Sequence, residues 1–169
     1  YVTSDLNQLS SEGVRICILG RREGLAPDLA EIVERAETKT AHNEAFQLQV
    51  AFNYGARADI VDAARALMAA ALRGELAPEA LDEAAFEARL STAQGPPLDL
   101  LIRTSGEQRL SNFLLWESAY AEFVFPRVLW PDFTKADLAA ACAEYARRER
   151  RYGQTSEQLK PVPAAAATK

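Results

Sequence analysis

Arg103, Arg109 and Ser111 fall within one nine-residue stretch, around the flexible Ser105-Gly106 pair and directly after the apolar run Leu98–Ile102. Two guanidinium groups and a hydroxyl, offered from a glycine-containing loop that leads into a helix start, suit a diphosphate. Glu122, read as lying near the end of that helix, adds a hard oxygen donor of the kind Mg²⁺ takes alongside substrate phosphates. The plainer reading of the same residues is that both arginines pair with Glu107 and Glu117 on a solvated loop. On side-chain chemistry alone the segment is an anion site and nothing sharper.

The rest of the composition narrows the class of protein. The chain has 169 residues, 49% of them hydrophobic, enough for one domain with a real core. Its 19 basic residues against 24 acidic ones give a net charge of −5, the wrong sign for a general nucleic-acid binder. Of the basic residues 15 are Arg and 4 are Lys, which fits either a G+C-rich coding bias or the bidentate grip on planar anions that arginine provides. Cys17 and Cys142 are too few for a disulfide scaffold and read as small buried hydrophobes in a reducing cytoplasm. No apolar run approaches the roughly 18 residues of a spanning helix, and no charged-then-apolar leader opens the chain. A soluble, cytoplasmic protein is expected.

The elements that must position the anion site follow from periodicity. Val14–Leu19 reads as a strand ended by Gly20, and Pro27 starts a helix with Leu29, Ile32, Val33 and Ala36 on one face. Gln47–Asn53 alternates as a strand. Asp59–Arg73 reads as an amphipathic helix whose buried face is Ile60, Val61, Ala64, Leu67, Met68, Ala71 and Leu72. A second helical piece spans Glu79–Leu90 before the Gly95-Pro96-Pro97 breaker. Leu98–Ile102 is a buried strand, Asn112–Ala121 a helix, and Phe123–Phe125 a short strand. Thr134–Asp137 resembles a capping box opening a helix to about Arg151. Tyr1–Leu9 looks like the end of a helix. Strands separated by helices predict an α/β fold, a mainly parallel sheet flanked by helices and incomplete at the N-terminus. Ligands of such sheets sit beyond strand carboxyl ends, here the loops after Asn53 and Ile102.

The segment D-L-L-I-R-T-S-G-E-x-R-x-S-N-F-L-L-W-x-x-A-Y-x-E, followed by L-W-P-D-F, strongly resembles the cis-prenyltransferases. Asp99 through Phe133 follows that pattern almost without a gap, and Gly13–Gly20, Phe52–Ile60 and Arg147–Gly153 agree with it. The resemblance implies a homodimeric, Mg²⁺-dependent enzyme that condenses isopentenyl diphosphate onto an allylic diphosphate with cis geometry, giving a polyprenyl diphosphate of the undecaprenyl lipid-carrier type. Residue by residue it implies that Arg103, Arg109, Leu110 (through its backbone) and Ser111 hold isopentenyl diphosphate and that Glu122 is the Mg²⁺-associated carboxylate. It also implies that Arg151 and Gly153 form an Arg-x-Gly element reaching the partner subunit's site. Residues 1–153 would be the C-terminal part of one catalytic domain, and 154–169 an extension ending in a disordered Pro/Ala-rich tail. Contact with a membrane would be peripheral, through the lipid product.

The family's allylic-site loop, D-G-N-x-R-W, has no counterpart: none of Asp5, Asp28, Asp59, Asp62, Asp82, Asp99, Asp132 or Asp137 is followed by Gly-Asn. The resemblance therefore places the catalytic Asp upstream of Tyr1 and assigns no catalytic residue within the 169. Two other readings stay open: a non-catalytic partner subunit or fragment that binds diphosphate without an allylic site, and a phosphate-binding α/β domain with no prenyl chemistry. His42 reads as a helix-end or loop residue. Trp116 and Trp130 read as aromatic anchors of a core or dimer interface.

Overall fold

Two helices, α1 (Val2–Ser11) and α2 (Pro27–Thr40), pack against strand β1 (Val14–Leu19). The computed structural model describes residues 2–148, with side chains from Asp5 onward. Beyond these elements come β2 (Phe46–Ala51), α3 (Ala56–Leu72), α4 (Glu83–Glu87), β3 (Leu100–Ile102), β4 (Glu122–Val124) and α5 (Lys135–Arg147), with short 3₁₀ turns at Pro78–Ala80, Glu117–Tyr120 and Trp130–Asp132. The chain divides into two units, one holding the residues up to Pro97 together with Leu110–Trp116, the other Leu98–Arg109 and the chain from Glu117 onward.

In the first unit β1 and β2 pair in parallel from Val14–Phe46 to Leu19–Ala51. Alternation in β1 puts Val14 and Ile16 into a core with Leu6 of α1, closed by Leu9, Ile18, Ala36 and Leu48. Among the described residues no strand lies at the edge of β1 away from β2, yet its Ile16 and Ile18 amides are satisfied. Ile16 N–H donates to Thr40 Oγ1 at 3.0 Å and Ile18 N–H to Glu37 Oε1 at 2.8 Å, both from α2. Asn43 Nδ2 donates to the Val14 carbonyl at 2.9 Å. Fully buried Thr40 thus joins helix to strand, since its hydroxyl also donates to the Ala36 carbonyl at 2.8 Å. The strand ends where Gly20 adopts φ +113°; a Cβ there would sit 2.2 Å from the Phe52 carbonyl oxygen.

In the second unit β3 and β4 form another parallel pair, from Leu100–Glu122 to Ile102–Val124, with Leu101, Val124 and Ala141 of α5 buried. The parallel α/β reading holds, delivered as two two-stranded ladders. The capping box is present in full: the Thr134 side chain accepts from Asp137 N–H and the Asp137 side chain accepts from Thr134 N–H.

Several expectations are corrected. Helix α3 starts at Ala56, three residues before the predicted Asp59, and buries a stripe of small residues, Ala56, Ala63 and Ala70, with Leu67. Met68 and Leu72, expected in the core, are 66% and 88% exposed. The small stripe wins because alanines let the helix backbone approach its neighbours. Glu79–Leu90 is not one helix: Leu81 takes an extended conformation and a new cap forms at Asp82, whose side chain accepts from Ala85 N–H, so only α4 is α-helical. Asn112–Ala121 is not a helix either, because Asn112 and Leu114 hold positive φ. Trp130 is 73% exposed, which removes the core alternative of its reading and leaves the interface one, and Cys142 lies on the surface. The tail 154–169 lies outside the described residues.

The capping box carries a pH signature. Hydrogen bonds from the Thr134 side chain and backbone hold the Asp137 carboxyl below the ordinary aspartate range. A depressed carboxylate pKa gives stabilisation that is full above the unfolded-state value and is lost as pH falls below about 4. Thermal unfolding against pH should show this acid loss reduced in Asp137→Asn, while Thr134→Ala should cost about 1 kcal/mol at neutral pH.

Candidate functional site

The loop leaving β3 continues the ladder before it turns. Arg103 N–H donates to the Val124 carbonyl at 3.0 Å, Ser105 N–H to Val128 at 2.8 Å and Gly106 N–H to Pro126 at 2.9 Å. Ser105 and Gly106 both take φ +66°, so the chain reverses tightly after Arg103. The Arg103 guanidinium donates to the Arg109 carbonyl oxygen, which ties the two predicted anion-binding residues to one loop. Arg109 pairs with Glu107, so the plainer salt-bridge reading is realised for that arginine. Both side chains are substantially exposed, 64% and 40%, and a pair of this kind is weak enough to yield to a doubly charged phosphate.

Leu110 and Ser111 belong to the other unit. The expected helix start after Ser111 is replaced by a left-handed run, with Ser111 at φ +50°, Asn112 at +64° and Leu114 at +44°. Asn112 is what holds this run, and sequence reasoning did not single it out. Its carbonyl accepts from Ala56 N–H and its Oδ1 from Arg57 N–H, each at 2.9 Å. These are two of the free amides at the start of α3, whose own cap residue, Gly55, has no side chain to offer. A Cβ on Gly55 would lie 2.7 Å from Asn112 Nδ2. The Phe52–Ile60 and Leu110–Trp116 stretches are therefore one arrangement, reinforced by edge-to-face packing of Tyr54 on Phe113 at 6.0 Å.

Glu122 is the first residue of β4, not a helix residue, and stands opposite Leu100 in the ladder. Arg103 leaves the carboxyl end of the same ladder, past the Ile102–Val124 rung. Arg148 closes on Glu122 from the end of α5: Nη1 donates to Glu122 Oε2 at 2.8 Å, and Nη2 donates to Glu144 Oε1. The two carboxylates, Glu122 first, push the Arg148 pKa further up. Among the described residues no three His, Cys, Asp or Glu side chains gather into a metal cluster. One carboxylate at Glu122 fits Mg²⁺ only where substrate phosphates and water supply most of its ligands, an ordinary arrangement for this ion.

Other candidates take quieter places. His42 is an exposed turn residue after α2, as expected. Trp116 donates from Nε1 to Glu87 at 3.0 Å and stacks on Phe86 with centroids 4.6 Å apart. Arg21 and Arg22, after β1, are bound to Asp62 and to Glu37. An open cleft of about 360 Å³, lined by Leu25, Leu29, Phe52 and Asn53 among others, lies at the carboxyl ends of β1 and β2. Arg151 and Gly153 lie outside the described residues. No described helix is long and apolar enough to cross a membrane.

Comparison with known proteins decides the family. Residues 1–153 match the prenyltransferase family model described as undecaprenyl diphosphate synthase. The chain belongs to this family. Over 153 residues it is 61% identical to isoprenyl transferase of Caulobacter vibrioides, covering 90% of this chain and 59% of that protein. It is 46% identical to isoprenyl transferase 2 of Bradyrhizobium diazoefficiens, covering 90% and 61%. The chain thus spans about three fifths of the length of the curated relatives it matches. Among solved structures it resembles lavandulyl diphosphate synthase of Lavandula x intermedia in complex with dimethylallyl diphosphate, with TM-score 0.86, 39% identity and coverage of 90% and 66%. A probable undecaprenyl diphosphate synthase of Campylobacter jejuni matches with TM-score 0.76, 32% identity and coverage of 90% and 69%.

The cap from Asn112 yields a graded expectation for this family member. Asn112→Gly keeps the left-handed backbone and its carbonyl but loses the bond to Arg57 N–H. Asn112→Ala loses the same bond and adds backbone strain, so it should be the less stable of the two by about 1 kcal/mol in urea unfolding. Equal stabilities would mean that position 112 does not keep its positive φ in the folded protein.

Proposed function

We propose that this chain acts as the C-terminal part of a cis-prenyltransferase that condenses isopentenyl diphosphate onto an allylic diphosphate and builds a polyprenyl diphosphate. The reading rests on its family and on one local observation, the loop after β3 in which the Arg103 side chain holds the Arg109 backbone. In this reading residues 1–153 are part of one catalytic domain and 154–169 are an extension.

Arg103 and Arg109 bind the isopentenyl diphosphate headgroup, with Ser111 Oγ and the Leu110 backbone N–H as further donors. Arg109 exchanges its exposed partner Glu107 for the phosphate. The gain is orientation: a headgroup fixed at several points keeps the alkene aimed at the carbon that becomes electron-deficient on the allylic partner. Glu122 would hold Mg²⁺, which when bound would supply charge neutralisation for the departing diphosphate. The deprotonation that closes each cycle needs a base, and none of these residues is assigned to it. The family's Asp on its D-G-N-x-R-W loop is not among these 169 residues. Arg151 and Gly153 would complete the site of a second copy, making the working unit a homodimer. The enzyme would work in the cytoplasm, touching the membrane peripherally through its product.

Steady-state kinetics of the complete polypeptide with Mg²⁺ and both substrates tests the assignment. Arg109→Ala should raise KM for isopentenyl diphosphate about ten- to a hundredfold, the loss of one charge-assisted contact set, with little change in KM for the allylic substrate. An unchanged isopentenyl diphosphate KM removes Arg109 from this role. Diphosphate binding with no prenyl transfer by the complete polypeptide would favour the non-catalytic partner instead.

A further inference from the structure

The carboxylate assigned to the metal already has a cation on it. Arg148 Nη1 donates to Glu122 Oε2 at 2.8 Å, and both side chains are about two-thirds withdrawn from solvent, at 32% and 27% exposure. Arg148 is itself held from the other side by Glu144, one helical turn earlier on α5. One guanidinium is shared between two carboxylates 22 residues apart in sequence, one on β4 and one on α5. A divalent ion approaching Glu122 therefore meets an oxygen pair whose charge is partly neutralised and a positive group that repels it. A one-carboxylate metal site is weak to begin with, so a competing cation decides whether it loads before or together with the phosphate-bearing substrate.

We propose that Arg148 is the resident counter-ion of Glu122, a positioning residue that holds this carboxylate in place and restrains divalent-cation binding until a diphosphate supplies the remaining ligands. The proposal rests on the reading of Glu122 as a metal ligand given above. Glu144 sets the strength of the restraint, because it takes a share of the Arg148 charge. Removing Arg148 and removing the Glu144 charge must then change metal affinity in opposite directions. A carboxylate acting on the metal only through space would keep its effect when Arg148 is gone, whereas here Glu144→Gln must lose most of its effect in an Arg148→Gln background.

Binding of Mn²⁺ to the complete polypeptide, followed by electron paramagnetic resonance with and without inorganic pyrophosphate, reads this directly. Arg148→Gln should tighten Mn²⁺ about two- to fivefold, the scale of a partly exposed ion pair. Glu144→Gln, an exposed change that leaves α5 able to fold, should weaken it by a similar factor. Arg148→Lys should stay near the parent value. Affinities that do not move, or that move in the same direction in the Gln variants, overturn the proposal. Glu122→Gln separates the two ideas: if it leaves Mn²⁺ binding intact, the metal assignment fails and this proposal with it. If it abolishes binding while Arg148→Gln changes nothing, only the counter-ion role fails. Should Arg148→Gln not fold, Arg148→Met serves as the background for the same double-variant comparison, and an undiminished Glu144→Gln effect in it overturns the proposal.

Discussion

Three rungs of parallel pairing between β3 and β4 set where the charged groups of the second unit can be. Leu101 and Val124 are buried on this short ladder, and the Ala141 stretch of α5 packs over it. Because the ladder is parallel, the residue that follows β3 and the residue that opens β4 are assigned to opposite ends of it. Arg103 is committed to the carboxyl end and Glu122 to the start, before any side-chain interaction is considered. The loop bonds from Ser105 and Gly106 to the 126–128 segment then carry the rigidity of the ladder out to Arg109.

The first unit solves a different problem, that of placing Ser111 on a backbone most residues avoid. Left-handed conformations at Ser111, Asn112 and Leu114 cost free energy locally, and the two bonds from Asn112 to the start of α3 offset it. The exchange is reciprocal. Helix α3 begins at a glycine with no cap of its own, and the strained turn supplies what the glycine lacks.

The parts legible in the sequence were those whose causes are local. Val14–Leu19 is a strand at the predicted bounds because its β-branched run stops at a glycine, Pro27 does open α2, and Thr134 and Asp137 do form the reciprocal cap. The parts that were not legible depend on residues far apart in the chain. Asn112 reads as the first residue of a helix because its bonds go 55 residues back, to Arg57. The role of Arg148 is not visible in its own neighbourhood because its partner on β4 is 26 residues away. On α3 the periodic large side chains suggested one buried face, while the packing chose the alanine stripe, a distinction that hydrophobic periodicity alone does not make. The candidate anion loop was readable from residue types and from its resemblance to a family, and the Arg109–Glu107 pair was one of the two readings its residues offered.

The side chains that satisfy the outer edge of β1 have a directional effect on assembly. With Thr40, Glu37 and Asn43 occupying the groups a neighbouring strand would use, that border of the sheet is chemically finished. Recruitment of another strand, whether from this polypeptide or from a stray one, is left to the flank of β2. The ladder is a one-way template: it can be lengthened on one margin only, and the other is protected from the edge-to-edge association by which unprotected sheets aggregate.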